Sequence, residues 1–220
     1  HALATPLKYK YATPCENKII KPFLRYIANC MMHPTMIIRK SILDKYKLKY
    51  DEKYIHNEDY KLWIELNKKN QLANIPEVLL IHRVYDNAVS VKYAQLQQHI
   101  TAKILWENII EKYEKYNISL KSVVKKYFDD KTLSFHDLLV VINSIKKMVK
   151  ILKKEMGEEF YSYIDTTYRV NFINFLKKVP ASNKVIALIW DTDILNILCY
   201  KDEDKIKLTQ MICEKSKSAQ

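Results

Sequence analysis

The segment between His33 and Ser90 decides the fold and the chemistry of this 220-residue chain. It contains, in order, His33-Pro34-Thr35-Met36, Asn57-Glu58-Asp59-Tyr60-Lys61-Leu62-Trp63 and Leu79-Leu80-Ile81-His82-Arg83-Val84-Tyr85. The middle run has the period of an amphipathic helix and begins with two adjacent carboxylates. The last run is short and apolar, which predicts a strand. Together these features predict an acidic site at the start of a packed helix.

The predicted helix extends from Glu58 to Lys69. Its apolar stripe consists of Leu62, Trp63 and Leu66, and its polar positions, expected to face water, are Lys61, Glu65, Lys68 and Lys69. Asp59 precedes the stripe by about one turn, so it lies on the inward face. Asn57 is a good N-cap, and the helix dipole favours ionised acids in the first turn, at some loss of basicity. We therefore expect Asp59 to be an ionised carboxylate at the exposed end of the helix.

A carboxylate in this position can act as a general base, because it can take the proton of an attacking hydroxyl. Two acids in a first turn are also common where they only interact with the helix dipole. Taken alone, Glu58 and Asp59 favour that ordinary interpretation. The neighbouring motifs shift the interpretation toward a general base.

These neighbouring motifs occur in one order and at one spacing. His33-Pro34-Thr35 precedes Glu58-Asp59-Tyr60-Lys61-Leu62-Trp63, and Asn74-Ile75-Pro76-Glu77 and Leu79-Leu80-Ile81-His82-Arg83 follow. The series resembles the acceptor-side half of a GT-A glycosyltransferase of the inverting family 2. The resemblance covers residues 20–90 and is absent from residues 92–220.

The resemblance implies a role for several residues of the segment. Asp59 matches the general base and Glu58 an acceptor-binding carboxylate of the catalytic site, while Arg83, with Tyr85 nearby, matches a position beside the donor diphosphate. The residues expected to contact the acceptor are His33, Tyr54 and Trp63, although a histidine at a strand start is often structural and Trp63 can equally pack in the core. The substrates implied are a nucleotide-sugar and a glycan or lipid-linked acceptor.

The chain also departs from the family pattern. Tyr85 stands where the family commonly has a histidine, and His82 cannot replace it because strand neighbours face opposite sides. The nucleotide-binding half and its Asp-x-Asp motif do not precede Glu58. We therefore expect Mn²⁺ or Mg²⁺ in the whole enzyme, no metal in this chain alone, and no activity from the isolated chain.

One Asp-x-Asp sequence occurs far downstream, at Asp191-Thr192-Asp193. It follows the apolar run Val185–Trp190, and a strand before such a motif would suit a metal site. The residues that follow it, Ile194–Leu198, fit a helix capped by Asp191 instead. The capping interpretation is favoured, so this motif is not predicted to bind metal.

Composition narrows the classes of protein. A single glycine, Gly157, excludes phosphate-binding glycine loops, and four separated cysteines exclude a CxxC metal cluster. The net charge of +12 attracts anionic partners, of which an anionic membrane surface is favoured over nucleic acid because no nucleic-acid motif is present. No segment is apolar enough to span a bilayer. We expect a cytoplasmic protein that can lie peripherally at the inner face of the membrane.

The predicted fold class is α+β and helix-rich, with a GT-A remnant of few strands at residues 1–91 and an all-helical region at residues 92–220. Predicted strands are Met31–Arg39, Leu72–Ile75 and Val78–Val84. The predicted helix Ser134–Met156, with Ser134 as its cap and Gly157 as its stop, is amphipathic and lysine-rich, which suits a packed bundle, the favoured interpretation, or a membrane surface. The competing function is therefore a non-enzymatic helical domain that binds a partner protein or an anionic membrane.

Overall fold

The structure, a computed structural model, describes residues 14–69, 71–81, 85, 87–113, 118–157, 161–191 and 202–217. Its helices are α1 (Asn17–Tyr26), α2 (Lys40–Tyr46), α3 (Glu58–Lys69), α4 (Val89–Lys92), α5 (Ala94–Tyr113), α6 (Ile118–Phe128), α7 (Phe135–Met156), α8 (Tyr161–Leu176), α9 (Asn183–Asp191) and α10 (Asp202–Lys217). Single 3₁₀ turns cover His33–Thr35 and Glu52–Tyr54. The helix-rich part of the prediction is confirmed.

The boundaries of α7 show how local sequence determines this architecture. Ser134 caps the helix by accepting from the Asp137 N–H, and the Asp137 carboxylate accepts from the Ser134 N–H in return. The helix ends at Gly157, which has a positive φ of 83°. A capping box at one end and a glycine at the other both satisfy backbone groups that the helix leaves unpaired. The predicted start and stop are both confirmed.

The three predicted strands are wrong within the described residues, none of which lies in a strand. In the first of them, Pro34 begins a 3₁₀ turn, because proline has a fixed φ and no N–H to donate to a ladder. Residues 72–75 and 78–81 lack a neighbouring strand, so their β-forming side chains have nothing to pair with. His82, Arg83 and Val84 lie outside the described residues.

Side-chain amides hold the segment 72–75, for which a strand was predicted. Asn74 donates to the carbonyls of Pro14 (2.8 Å) and Cys30 (3.0 Å). The Leu72 N–H donates to Asn17 Oδ1 at 3.0 Å. Asn74, part of the Asn-Ile-Pro-Glu motif, therefore fixes this segment against the start of the chain.

The hydrophobic core is continuous across the predicted boundary at residue 92. α1 packs against α3, α5 and α7, and α7 packs against α6 and α8. Trp63 of α3 and Trp106 of α5 belong to one buried cluster, together with Phe172 of α8. Burial of such large aromatic side chains makes a dominant contribution to core stability. The two predicted regions thus share one core in the structure, while the division of the chain into two domains stays a prediction.

The amphipathic helix α7 directs its apolar face into this core. Leu138, Val141, Ile145 and Leu152 are all fully buried, and Lys147, Lys150 and Lys154 are exposed. Contact of the apolar face with a membrane would require the helix to leave its packing partners. None of the described helices has the length and apolarity needed to cross a membrane.

The apolar run Val185–Trp190 is helical, being part of α9, so the possible strand context of Asp191-Thr192-Asp193 is wrong. Asp191 is the last residue of α9, and residues 192–200 lie outside the described part of the chain. The predicted helix after Asp191 therefore stays a prediction. α9 packs instead against α10.

Candidate functional site

The site begins at the first turn of α3, where the chain turns inward to bury Tyr60, Leu62 and Trp63. Asp59 has a side chain that is 19% exposed. Its Oδ1 accepts a hydrogen bond of 2.7 Å from the Tyr60 N–H. The second oxygen, Oδ2, lies 3.9 Å from Nδ1 of His33. The carboxylate is thus held in place through Oδ1, and its residue lines a cleft.

The pKa of Asp59 is raised above its ordinary value, mainly because burial disfavours the charged carboxylate. The Tyr60 N–H and the charge of protonated His33 act in the opposite direction, and the neighbouring Glu58 adds a smaller increase. Burial therefore outweighs the helix N-terminus. The sequence-based expectation of reduced basicity is wrong, and Asp59 is a stronger proton acceptor than an exposed aspartate.

His33 connects Asp59 to a tyrosine at the surface. Its Nε2 lies 2.9 Å from the Tyr50 hydroxyl, and its ring meets the edges of Tyr50 and Trp63 with centroids 5.8 Å apart in both cases. These contacts fix the plane of the imidazole, so its other nitrogen stays directed at Asp59. The structure thus places His33 beside Asp59.

Glu58 has an unusual environment for a carboxylate. Its Oε2 is buried and has no hydrogen-bond partner among the described residues. Leaving a buried acceptor unpaired costs about 1–3 kcal/mol, so such groups tend to persist where a functional partner binds. This atom is the strongest single sign that the acidic pair is incomplete in the free protein.

The loop before α3 is held by α5 rather than by its own turn. Asn57 stands at the N-cap position, but its Nδ2 donates to the Gln97 carbonyl (3.0 Å) and its Oδ1 accepts from the Thr101 hydroxyl (3.2 Å). Gln97 in turn donates to the His56 carbonyl at 2.9 Å. The predicted N-cap residue therefore serves mainly as a tertiary link.

His56 adopts a left-handed backbone conformation with φ 65°. This conformation is uncommon outside glycine, although histidine adopts it more readily than most residues. Stacking on Tyr93, with ring centroids 4.1 Å apart, and the bond from Gln97 stabilise it. The strained turn directly precedes the acidic pair, and strain of this kind concentrates at functional sites.

Asp59 lines a cleft of about 970 Å³. One wall is the start of α3 with its preceding loop, and the others come from α5, α8 and the residues after α1. Sequence reasoning missed the cleft, because its lining residues extend from Ile27 to Asn174 in the chain and carry no common motif. The clue that existed was the clustering of glutamines at positions 95, 97 and 98.

The structure separates the predicted acceptor residues. Trp63 is 0% exposed and packs in the core, so it cannot stack on a sugar, and Tyr54 is buried with its hydroxyl donating to Glu107 at 2.7 Å. His33 is exposed and lies beside Asp59. Tyr85 is exposed, and Arg83 lies outside the described residues.

The positions expected to face water on α3 are in part wrong. Lys61 is largely covered, its ammonium bridging Glu65 (3.6 Å) and Glu107 (3.4 Å). Lys68 is similarly held by Glu111 at 2.7 Å. α5 supplies Glu107 and Glu111. The polar face of α3, which the sequence pattern predicts to face water, is therefore paired in part with α5.

The described residues contain no group of three or more His, Cys, Asp or Glu side chains able to hold a metal ion. The ligand set beside Asp59 consists of Glu58 and His33, and the imidazole nitrogen facing Asp59 lies 3.9 Å away. This set does not fit Mn²⁺ or Mg²⁺, which require several oxygen ligands.

Two curated proteins resemble the chain in sequence. An uncharacterized glycosyltransferase of Haemophilus influenzae is 30% identical over 162 residues, which cover 74% of this chain and 46% of that protein. An uncharacterized glycosyltransferase of Methanocaldococcus jannaschii is 36% identical over 107 residues, covering 47% of this chain and 34% of the relative.

The chain thus spans less than half the length of these curated relatives. No protein-family profile matches it. No solved structure matches it either. The similarity supports a relationship to proteins named glycosyltransferases. This agrees with the general resemblance to a glycosyltransferase found in the sequence.

Proposed function

We propose that this chain is the acceptor-side part of an inverting GT-A glycosyltransferase of family 2. The enzyme would transfer a sugar from a nucleotide-sugar to a hydroxyl of a glycan or lipid-linked acceptor. Asp59 would take the proton of that hydroxyl as its oxygen forms the new glycosidic bond and the nucleoside diphosphate leaves. The proposal is supported by the two relatives named glycosyltransferases and by the geometry around Asp59.

The observation that carries the proposal is the position of the largely covered Asp59 carboxylate, which lines a cleft of about 970 Å³ and has a raised pKa. A general base works best when its pKa approaches the working pH, and burial moves Asp59 in that direction. The fixed bond to Tyr60 leaves Oδ2 to act on a substrate. Glu58 would bind an acceptor hydroxyl, the role that the resemblance implies for it.

The donor side of the reaction is proposed from the resemblance alone. Arg83 and Tyr85 would neutralise charge on the leaving diphosphate, as cationic and hydroxyl groups do in phosphoryl and sugar transfer. Because the described residues do not fit a divalent cation, no step here depends on one. A nucleotide-binding half supplied beyond these residues would complete the site.

The test is a transferase assay on a protein that joins these residues to a nucleotide-sugar-binding half. Asp59→Asn should lower kcat by about 10²–10⁴, the usual contribution of a general base, with a smaller change in KM. The 220-residue chain alone, incubated with Mn²⁺ and a panel of UDP-sugars, should show no turnover.

Asp44→Asn is the matched control, since Asp44 is an exposed aspartate of α2 whose partner is Lys40. Its kcat should equal that of the parent protein. Full activity in the Asp59→Asn protein would remove Asp59 from the mechanism, and clear turnover by the chain alone would show that no further half is required.

A further inference from the structure

The cleft beside Asp59 is built largely by the region that has no resemblance to the family. Its far walls come from α5 and α8, and Thr167 of α8 joins them to the α1 side by donating to the Ile27 carbonyl at 3.1 Å. Whatever enters the cleft to reach Asp59 therefore contacts these helices first.

The polar lining of the cleft is dominated by side-chain amides. They are Asn29, Asn57, Gln95, Gln97, Gln98, Asn171 and Asn174. An amide both donates and accepts hydrogen bonds, as a sugar hydroxyl also does, so amides suit rows of neighbouring hydroxyls. Small apolar residues such as Ala94 and Ala102 lie between the amides and fit the C–H faces of a sugar ring.

The charge of the cleft lining differs in sign from the net charge of the whole chain. The sequence carries 37 Lys and Arg residues and a net charge of +12. None of the described residues that line the cleft is a Lys or Arg, and Asp59 is a carboxylate. An anionic ligand such as a phosphate would be repelled by Asp59, and the described lining offers it no basic side chain other than the imidazoles of His56 and His99. A neutral ligand is favoured.

Three of the amides, Gln95, Gln98 and Asn174, have side chains with no hydrogen-bond partner in the described part of the chain. Asn171 already donates to the Thr167 carbonyl, and Gln97 is occupied by the loop before α3. Gln98 is exposed and Asn174 is half-buried. Gln98 and Asn174 lie on different helices, on two walls of the same cleft.

We propose that this cleft binds an uncharged carbohydrate, with Gln98 of α5 and Asn174 of α8 reading its hydroxyl groups. The inference deepens the proposed function and rests on it for the identity of the cleft as the acceptor site. It assigns acceptor selectivity to the C-terminal helices, which lie outside the residues that resemble the family.

The test follows the side-chain amide signals of the ¹⁵N-labelled 220-residue chain by NMR. The uncharged probes are maltotriose, lactose and chitotriose, and the anionic probe is inorganic pyrophosphate. At least one saccharide, at millimolar concentration, should shift the signals of Gln98 and Asn174, and pyrophosphate should not. Gln98→Ala and Asn174→Ala should each weaken that binding about three- to tenfold, as expected for one lost hydrogen bond.

Asn143→Ala is the matched control, because Asn143 is an exposed asparagine of α7 that does not line the cleft. Its saccharide affinity should be unchanged. Gln98 is on the surface, so its variant keeps the test valid if Asn174→Ala fails to fold. The proposal is overturned if no saccharide shifts these signals, if both variants bind like the parent, or if pyrophosphate binds the cleft.

This binding measurement is independent of catalysis. It is made on the parent chain and on its Gln98 and Asn174 variants, all of which keep the Asp59 carboxylate. Binding together with full transfer activity of Asp59→Asn would refute the proposed function and leave the carbohydrate site standing. Loss of transfer in Asp59→Asn without saccharide binding to the cleft would refute only the carbohydrate site.

Discussion

Burial and the N-terminus of α3 act on Asp59 in opposite directions. The dipole and the Tyr60 N–H stabilise the carboxylate, whereas the surrounding protein removes water from it. The raised pKa shows that the loss of hydration is the larger effect. A base of this kind is maintained at the expense of stability, which is a common compromise at functional sites.

Asp59→Asn should therefore raise the Tm at neutral pH. The folded-state pKa lies above the unfolded one, so the native protein holds the extra proton and loses stability as pH rises through that window. The amide carries no charge to desolvate and keeps the bond from Tyr60. Thermal unfolding followed by circular dichroism across pH 3–8 checks this, and the gain should disappear at the acidic end.

The control for this measurement is Asp44→Asn, which changes an exposed aspartate and should leave the Tm nearly constant. A lower Tm for Asp59→Asn at neutral pH would mean that the ionised carboxylate contributes net stability, and the account of its pKa would then be incorrect.

Replacing His33 by phenylalanine should raise the pKa of Asp59 further. The protonated imidazole is one of the groups that lower this pKa, and a phenyl ring can keep the edge contacts with Tyr50 and Trp63. The ¹³C chemical shift of the Asp59 carboxyl, followed by NMR during a pH titration, reports the change. Tyr50→Phe, which removes only the hydroxyl bonded to His33, should leave the titration almost unchanged. Equal titrations of Asp59 in the parent and His33→Phe proteins would contradict the coupling.

The helices of this chain differ in how they begin, and α7 has the most complete start. Burial raises the pKa of Asp137, but the hydrogen bonds from Ser134 and Lys126 outweigh it, so the pKa lies below its ordinary value. Lys126 of α6 thereby connects two helices at the cap through a bond of 2.9 Å. The cap of α7 thus also orients α6, whose Tyr127 reaches the cleft.

Ser134→Ala should destabilise the protein by about 1 kcal/mol, the usual contribution of an N-cap side chain. Urea unfolding measures this as a lower midpoint with an unchanged slope. Ser122→Ala, at an exposed position of α6, is the control and should be neutral or slightly stabilising because alanine favours helices. An unchanged midpoint for Ser134→Ala would show that the Asp137–Lys126 pair holds the cap without the serine.

At the scale of the molecule, the described residues include a run of adjacent exposed apolar side chains at 78–81. Val78 and Ile81 are 91% and 93% exposed, and Leu79 is also exposed. Adjacent exposed apolar side chains promote association, because burying them against another surface removes them from water. This segment belongs to the predicted strand that has no neighbour among the described residues.

Val78→Lys combined with Ile81→Lys should therefore reduce concentration-dependent association of the isolated chain and leave its Tm unchanged. Light scattering and thermal unfolding measure the two effects. Val185→Lys, at a buried position of α9, is the contrasting variant and should lower the Tm. A falling Tm in the double variant would show that the segment packs against the protein in solution.

Local sequence determined the helices of this protein and the position of its acidic pair. The predicted helix Glu58–Lys69 coincides with α3, because apolar spacing and first-turn acids act within a few residues of one another. The capped start and glycine stop of α7 were predicted for the same reason. Asp59 was found as the base candidate from this short-range information and from the order of its motifs.

Tertiary structure alone decided what surrounds that pair. A strand requires a neighbour far away in the sequence, so the three predicted strands had no local cause strong enough to form them. The pKa of Asp59 depends on burial, and Asp59 lies in a cleft whose other walls include α5 and α8. The sequence by itself therefore determined which carboxylate stands at the helix start, whereas long-range packing decided its basicity and the amide-lined cleft that it faces.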